Sequence, residues 1–251
     1  MKIFKGIEQG IKEWYQPLMV PLANRVLHAA ATNLVGVEDT VEFAFRRHCG
    51  IRFMPTQVRS EITQFLGLLS QRPPATVLEI GTYKGGTFFL FARVATADAL
   101  VVSLDLPCGQ NDGYPAWRER LYRGFARDRQ RLEIVRDNSH DPRTMEKIRQ
   151  LLDGRPLELL FIDGDHSYQG VRADFELYSP LVSPEGVIAF HDIVPGPSSG
   201  GVPQFWQELK QTRLATEFVA DWKQGGFGIG MIQNDARTPA RVSHFSVTLT
   251  C

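Results

Sequence analysis

Cysteine is scarce in this sequence. Three of its 251 residues are cysteine, Cys49, Cys108 and Cys251, and no two of them form a CxxC pair. A scattered, odd-numbered set argues against a disulfide framework and against a thiolate zinc site. The scarcity fits a reducing compartment, so we predict a cytoplasmic protein.

An excess of charge of one sign is also missing. Lysine plus arginine and aspartate plus glutamate both number 28, so the formal net charge is zero. Without a long block of like charge, nucleic acid is not an expected partner. Charges and prolines near the N-terminus interrupt every apolar run before it reaches the length of a membrane span. We therefore expect a soluble chain with no membrane partner.

The N-terminal segment carries one apolar stripe. Phe4, Ile7, Ile11, Trp14 and Leu18 recur every three or four residues, as on one face of an amphipathic helix. Such a helix covers the core or contacts a second copy of the chain, so a homo-oligomer through these helices is one expectation. A helix on a membrane surface is the weaker alternative, because the polar face mixes acids with bases.

From residue 75 onward, short apolar strands alternate with amphipathic helices. This alternation is typical of a parallel, doubly wound α/β sheet, whose strands are apolar throughout because both faces are covered. Near the end, TEFVAD and FGIGMI flank the turn-rich WKQGG and predict an antiparallel hairpin. The predicted parallel strands are ATVLEI, ALVVSLD, RLEIVR, LELLFID and GVIAFHD.

These patterns divide the chain into three parts. Residues 1–53 are predicted to form a helical extension, 54–234 a Rossmann-like α/β domain, and 235–251 a tail. In an open parallel sheet, ligands bind beyond the carboxyl ends of the strands. Functional side chains are therefore expected directly after the strands.

The first strand runs into a glycine turn, LEIGTYKGGT. Gly81 and Gly85 let the backbone turn tightly and approach a ligand closely. A dinucleotide site needs a second glycine two positions after the first, where this chain has Tyr83. Together with Glu79, the two glycines instead follow the spacing E-x-G-x-x-x-G.

This spacing resembles the glycine motif of class I S-adenosylmethionine (SAM)-dependent methyltransferases, in which the turn wraps the amino acid part of a cationic cofactor. The resemblance implies that SAM is the cofactor and that 54–234 is the methyltransferase domain. Asp105, after the second strand, is placed to bind ribose hydroxyls, a role that NAD sites share. The polar residues after the third strand resemble the family's adenine-binding pair, although one of them could cap the next helix instead. The cofactor contacts expected in this way are Gln57, Glu79, Gly81, Thr82, Tyr83, Gly85, Thr87, Asp105, Leu106, Asn138, Ser139 and Asp163.

The fourth and fifth strands end in FIDGDHSY and AFHDI. Consecutive strands of such a sheet are usually neighbours, so one edge is expected to hold Asp163, Asp165, His166, His191 and Asp192. Like charges raise each other's pKa, and several buried carboxylates therefore favour a bound divalent cation. Oxygen ligands suit magnesium or calcium, whereas an imidazole moves the preference toward manganese, iron or zinc.

Residues 161–192 resemble the metal-assisted small-molecule O-methyltransferases of the macrolide-sugar and cephalosporin-tailoring kind, and the likeness extends over about 54–232. It implies that Asp163, His191 and Asp192 hold a divalent cation, magnesium or manganese. Members of that family usually have an acid where this chain has His191. The resemblance also implies a catalytic role for Asp163 and for His166, the latter as general base.

The combined hypothesis is SAM-dependent methylation of a hydroxyl on a small molecule, such as a sugar or a natural product, with divalent-metal assistance. Two alternatives stay open. An NAD-dependent oxidoreductase shares the fold and Asp105, and a non-catalytic nucleoside-binding protein needs only the cofactor half of the site. If no metal binds, His166 or His191 remains as a metal-free base.

Overall fold

In the part of the chain that the structure describes, seven strands form one sheet in the order β3-β2-β1-β4-β5-β7-β6. The structure is a computed structural model, and it describes residues 16–29, 33–46, 51, 53–107 and 113–234. The strands are β1 Thr76–Ile80, β2 Leu100–Asp105, β3 Arg131–Arg136, β4 Leu157–Ile162, β5 Val182–His191, β6 Ala215–Phe218 and β7 Ile229–Gln233.

Helices connect the strands and cover both faces of the sheet. None of the described helices is both long enough and apolar enough to cross a membrane. A helix α1 runs across 16–29, and the others are α2 Gly36–Ala44, α3 Arg59–Leu69, α4 Gly86–Val94, α5 Arg118–Arg123, α6 Pro142–Leu152, α7 Tyr168–Tyr178 and α8 Val202–Leu209.

The predicted doubly wound sheet with a closing hairpin is confirmed. Strands β1 to β5 are parallel, and β7 lies antiparallel between β5 and β6. All five positions of β1 are buried, as expected for a strand covered on both faces. One apolar layer includes Phe91 and Phe161, and the opposite layer includes Phe190 and Trp206.

Strand register aligns the ends of the central strands. Ile80 pairs with both Leu104 and Ile162, and Ile162 pairs with Phe190. The residues that follow these four therefore come to the same level at one edge of the sheet: Gly81, Asp105, Asp163 and His191.

The predicted N-terminal stripe falls mostly outside the described residues, which include only its member Leu18. This side chain is 67% exposed, so its face of α1 does not pack on the described core. The helix buries another face, formed by Val20, Ala23 and Leu27, in the same apolar layer as α4. The domain boundary after residue 53 and the tail after 234 stay predictions.

Candidate active site

A cavity of about 650 Å³ opens beyond the carboxyl ends of β1 to β5, where a doubly wound sheet binds its ligands. This volume lies within the range of pockets that hold small molecules and cofactors. Twelve of the residues predicted for the site line it: Gly81, Thr82, Tyr83, Thr87, Asp105, Leu106, Asn138, Ser139, Asp163, His166, His191 and Asp192. Three do not line it: Gln57, Glu79 and Gly85.

The glycine turn is required by packing as well as by ligand access. Gly81 has a φ of +88°, and a Cβ atom added there would lie 1.9 Å from the carbonyl oxygen of Asp163. Gly85 has a φ of +82° and precedes α4, and an added Cβ would lie 2.3 Å from the ring of Tyr122. Gly85 therefore makes room for this ring beneath the turn.

Asp105 reaches back to the glycine turn. Its Oδ2 accepts a hydrogen bond from the backbone N–H of Tyr83 at 2.6 Å, and its Oδ1 accepts one from Leu106 at 2.7 Å. Burial raises the pKa of Asp105, although these backbone donors oppose the shift. An ionised carboxylate has about four acceptor positions, so two remain for the hydroxyls of a ligand.

Glu79 lies fully buried under the turn. Burial raises the pKa of its carboxyl group to about 8, and the hydroxyls of Thr87 and Thr82 offset this only partly. Neither carboxyl oxygen has a hydrogen-bond partner of good geometry among the described residues. A buried acid of this kind favours a cationic group nearby, although the side chain itself does not reach the cavity.

The loop after β3 is held in place by α7. Tyr178 donates a hydrogen bond from its hydroxyl to the carbonyl oxygen of Ser139 at 2.8 Å. The fully buried Asp174, on the same helix face, lies 3.2 Å from Nε2 of His140 and raises the pKa of that imidazole. The alternative reading of this loop as a helix cap applies to Asp141, whose side chain accepts from the N–H of Arg143.

Asp163, His166, His191 and Asp192 meet at the other end of the cavity. Nδ1 of His191 lies 3.1 Å from Oδ1 of Asp163 and 3.7 Å from Oδ2 of Asp192. Nε2 of His166 lies 3.3 Å from the same oxygen of Asp163, and its Nδ1 lies 2.8 Å from the carbonyl oxygen of Ser198. The cap of α7 is Ser167, so His166 is not consumed as a helix cap.

Proton affinities in this cluster are coupled. Burial opposes ionisation of Asp163, but His191 and His166 outweigh it and lower the pKa of Asp163 to about 2. The hydrogen bond to Asp163 raises the pKa of His166 to about 9. Burial lowers the pKa of His191, yet Asp163 and Asp192 shift it upward overall. Without a cation, the imidazole of His166 is protonated at neutral pH, and its role as general base stays a prediction.

The donor set fits a divalent cation. One ligand atom from each of Asp163, His191 and Asp192 lies within 4.8 Å of the others. Ligands on opposite sides of an ion are about 4 to 4.4 Å apart, so small side-chain adjustments bring all three onto one ion. Two carboxylates and one imidazole suit manganese or zinc better than calcium.

Some residues of the site were not predicted from the sequence. Phe227, His140 and Ser198 line the cavity. Phe227 begins the segment FGIGMI, which the sequence predicts as the second strand of the hairpin, but β7 begins only at Ile229. The N–H of Phe227 instead donates a hydrogen bond to Oδ1 of Asp192 at 2.8 Å. An aromatic residue inside a run of glycines was the one available signal.

The central part of the chain is similar to a known family. Residues 78–193 match the model of a family described as a methyltransferase domain. Together, the match and the sheet are typical of a Rossmann-like methyltransferase domain. This domain carries both the glycine turn and the Asp163 cluster, which confirms at the level of the domain the resemblance seen in the sequence.

Solved structures share the fold. The O-methyltransferase TomG from Streptomyces achromogenes, involved in tomaymycin synthesis and solved in complex with SAM, has a TM-score of 0.51 and 18% identity over 86% of this chain and 98% of its own. An O-methyltransferase from Bacillus cereus in complex with SAH has a TM-score of 0.52 and 19% identity over 86% of this chain and 100% of its own. At these identities the likeness concerns the fold alone.

Two relatives match part of the sequence more closely. The uncharacterized protein y4gI of Sinorhizobium fredii is 30% identical over 162 residues, which are 63% of this chain and 17% of that protein. The uncharacterized protein R132 of Acanthamoeba polyphaga mimivirus is 32% identical over 126 residues, 49% of this chain and 53% of that protein. The chain thus spans less than two thirds of either relative.

Proposed function

We propose that the protein is a SAM-dependent methyltransferase that methylates a hydroxyl group of a small molecule. One observation carries the proposal: a single cavity is lined at one end by the glycine turn and Asp105 and at the other by the Asp163 cluster. The family match over residues 78–193 supports the reaction, and the neighbours solved with SAM or SAH support the cofactor.

The cofactor half of the cavity suits a cationic nucleoside. Asp105 has two acceptor positions left for ribose hydroxyls, and Asn138 and Ser139 border the space that an adenine would fill. The buried Glu79 lies under the turn that would wrap the amino acid part, where a positive charge offsets its burial. Tyr83 stands where a dinucleotide site needs a glycine, which favours SAM over NAD.

Methyl transfer from sulfur to oxygen is a displacement in line with the bond that breaks. The enzyme accelerates it mainly by orienting the two reactants, an effect that can contribute about 7 to 11 kcal/mol. Gly81 and Asp163 are in backbone contact, so the cofactor turn and the acceptor end of the cavity are fixed relative to each other. His166, at the same end, is the proposed carrier of the proton that leaves the acceptor hydroxyl.

Divalent-metal assistance is part of the proposal. Asp163, His191 and Asp192 would hold the ion, magnesium or manganese. When bound, such an ion supplies a Lewis acid that lowers the pKa of the acceptor hydroxyl. The carboxylates that face His166 would then be shared with the ion, which would leave the imidazole less strongly protonated.

Two calorimetric titrations test the cofactor. We expect SAH to bind and NADH not to bind, because the diphosphate cradle is missing. A transfer assay with radiolabelled SAM and a panel of hydroxylated small molecules then tests the reaction. NADH binding would favour an oxidoreductase, and SAH binding without transfer to any acceptor would favour a non-catalytic nucleoside-binding protein.

The cytoplasmic location and the homo-oligomer remain proposals as well. The scarcity of cysteine supports the first. Leu18 and Leu22, one helical turn apart on α1, are 67% and 47% exposed and support the second. Light scattering on the wild type and on the Leu18→Glu variant tests the second proposal, since a dimer formed through this face should dissociate in the variant.

A further inference from the structure

Phe227 has a backbone conformation that is unfavourable for a residue with a bulky side chain. Its φ is +64°, in the left-handed region, where a bulky residue is a rare outlier. The neighbouring positions Gly225, Gly226 and Gly228 also have positive φ and are glycine. Within this run, the chain places a phenyl group where glycine is the residue free of strain.

Hydrogen bonds to Glu61 on helix α3 hold the backbone around Phe227 in this conformation. The carboxylate of Glu61 is fully buried and accepts hydrogen bonds from the N–H of Ala220 at 2.9 Å, from Nε2 of Gln224 at 2.7 Å and from the N–H of Gly228 at 3.0 Å. Its acceptors thus bind both ends and the middle of one loop, residues 220–228. We call this segment the Glu61 loop.

A second anchor ties the loop to the candidate cation site. The N–H of Phe227 donates to Oδ1 of Asp192 at 2.8 Å, and its carbonyl oxygen accepts from the N–H of Val194 at 2.9 Å. The backbone of Phe227 is therefore fixed relative to a carboxylate that the proposed reaction uses.

The ring of Phe227 does not pack in the hydrophobic core of the described residues. It belongs to neither apolar layer of the described residues, is 37% exposed and lines the cavity. Its one described ring contact is with His191, at 6.1 Å between centroids and 55° between planes. A strained, anchored and half-exposed aromatic ring beside a charged cluster has an unused apolar face, and that face borders the acceptor end of the cavity.

We propose that Phe227 is the acceptor-recognition residue and that the acceptor carries its hydroxyl on a ring with a flat apolar face. The ring of the acceptor packs on Phe227 while its hydroxyl points into the Asp163 cluster. A phenolic ring and the CH face of a pyranose share this chemistry. The inference rests on the proposed function and adds to it the substrate class.

The test uses full-length protein saturated with SAH and manganese, titrated with 3,4-dihydroxybenzoate in one arm and methyl β-glucopyranoside in the other. We expect one of the two probes to bind, and Phe227→Gly to weaken that binding by roughly tenfold, about the contribution of one ring contact. Phe227→Tyr keeps the ring and should bind within about threefold of the wild type. The arm that binds identifies the source of the ring.

The stability of Phe227→Gly separates recognition from packing. Because glycine relieves the strain at φ +64°, the melting temperature should rise by roughly 2–4 °C, and SAH affinity should stay unchanged. A fall in melting temperature would give the ring a packing role and overturn the inference. Failure of both probes to bind the SAH-loaded wild type, or equal probe binding by wild type and Phe227→Gly, would also overturn it and leave the methyltransferase proposal standing. Loss of SAH binding by the wild type would instead overturn that proposal.

Discussion

Gln57 donates a hydrogen bond from Nε2 to Oδ2 of Asp163 at 3.0 Å, so a residue just ahead of α3 orients the carboxylate at the end of β4. Gln57 is 5% exposed and does not line the cavity. The family resemblance implied that Gln57 contacts the cofactor, whereas in the structure it contacts Asp163. Its expected effect therefore falls on the reaction and not on cofactor affinity.

Replacing Gln57 with Ala should lower kcat/KM for methyl transfer by about tenfold, because a hydrogen bond to a charged group contributes about 1.5–3 kcal/mol. SAH affinity, measured by calorimetry, should change by less than about threefold. Gln57→Glu is the matched control: it keeps the size and places a second carboxylate against Asp163, so its loss of activity should be larger. A parallel loss of SAH affinity in Gln57→Ala would indicate that Gln57 contacts the cofactor.

Glu79 should make the protein less stable as pH rises. The pKa of this carboxyl group is about 8 in the folded state and about 4.5 in the unfolded state. Between these values the unfolded chain loses a proton that the folded chain keeps, so the free energy of unfolding falls with pH and levels off above pH 8. The total change is about 5 kcal/mol at 1.36 kcal/mol per pKa unit.

The Glu79→Gln variant removes this titration while keeping the shape. In urea unfolding of the ligand-free protein, its advantage over the wild type should grow from pH 5 to pH 8. Equal pH profiles for the two proteins would mean that Glu79 is ionised in the folded state. Saturating SAH should reduce the difference between the two proteins. The sulfur of SAH is uncharged, but its ammonium group remains and stabilises the ionised form of Glu79.

Asp192 should be needed for cation binding and not for cofactor binding. Asn at this position tolerates the observed φ of +62° and keeps an oxygen that can accept from the N–H of Phe227. Asp192→Asn should weaken manganese binding by about 10-fold or more, because it removes a charged ligand. SAH affinity should stay within about twofold. Electron paramagnetic resonance of free manganese measures the first quantity, and calorimetry measures the second.

Metal removal provides the complementary measurement. If the cation takes part in the reaction, dialysis against a chelator should abolish transfer, and manganese should restore it in the wild type but poorly in Asp192→Asn. Full activity after complete metal removal would leave His166 or His191 as metal-free bases.

Gly81 and Gly154 form a matched pair for the glycine turn. Both have positive φ, +88° and +76°, but an added Cβ meets the backbone of Asp163 at the first position and nothing within 4 Å at the second. Gly154→Ala should therefore cost only the left-handed strain, about 1–2 kcal/mol. Gly81→Ala adds a backbone clash and should lower the melting temperature by roughly 10 °C or prevent cooperative folding. Equal losses in the two variants would show that the turn has room for a side chain.

The sequence was sufficient to predict the sheet and the residues at its edge. Fully apolar strands alternating with amphipathic helices leave few topologies, and parallel register then brings Gly81, Asp105, Asp163 and His191 to one level. These positions follow from local periodicity and one topological rule. The family resemblance implied the further cofactor contacts, and twelve predicted residues in all line the same cavity.

Contacts between distant segments were beyond such reasoning. Gln57 and Asp163 are 106 positions apart, and Glu61 and Gly228 are 167 apart. Nothing in the local pattern around Glu61 indicates that a buried acid on α3 organises a loop near the end of the domain. The pairing of His140 with Asp174 depends in the same way on how α7 lies against the sheet.

Strand β7 enters the sheet between β5 and β6, although it follows both in the chain. During synthesis, the edge of β5 stays unpaired until residues 229–233 have left the ribosome, and the bond from Phe227 to Asp192 waits for the same event. The residues proposed to bind the nucleoside, 81–139, are synthesised earlier. Ribosome-bound nascent chains should therefore acquire affinity for the nucleoside before Phe227 takes its position at the acceptor end of the cavity.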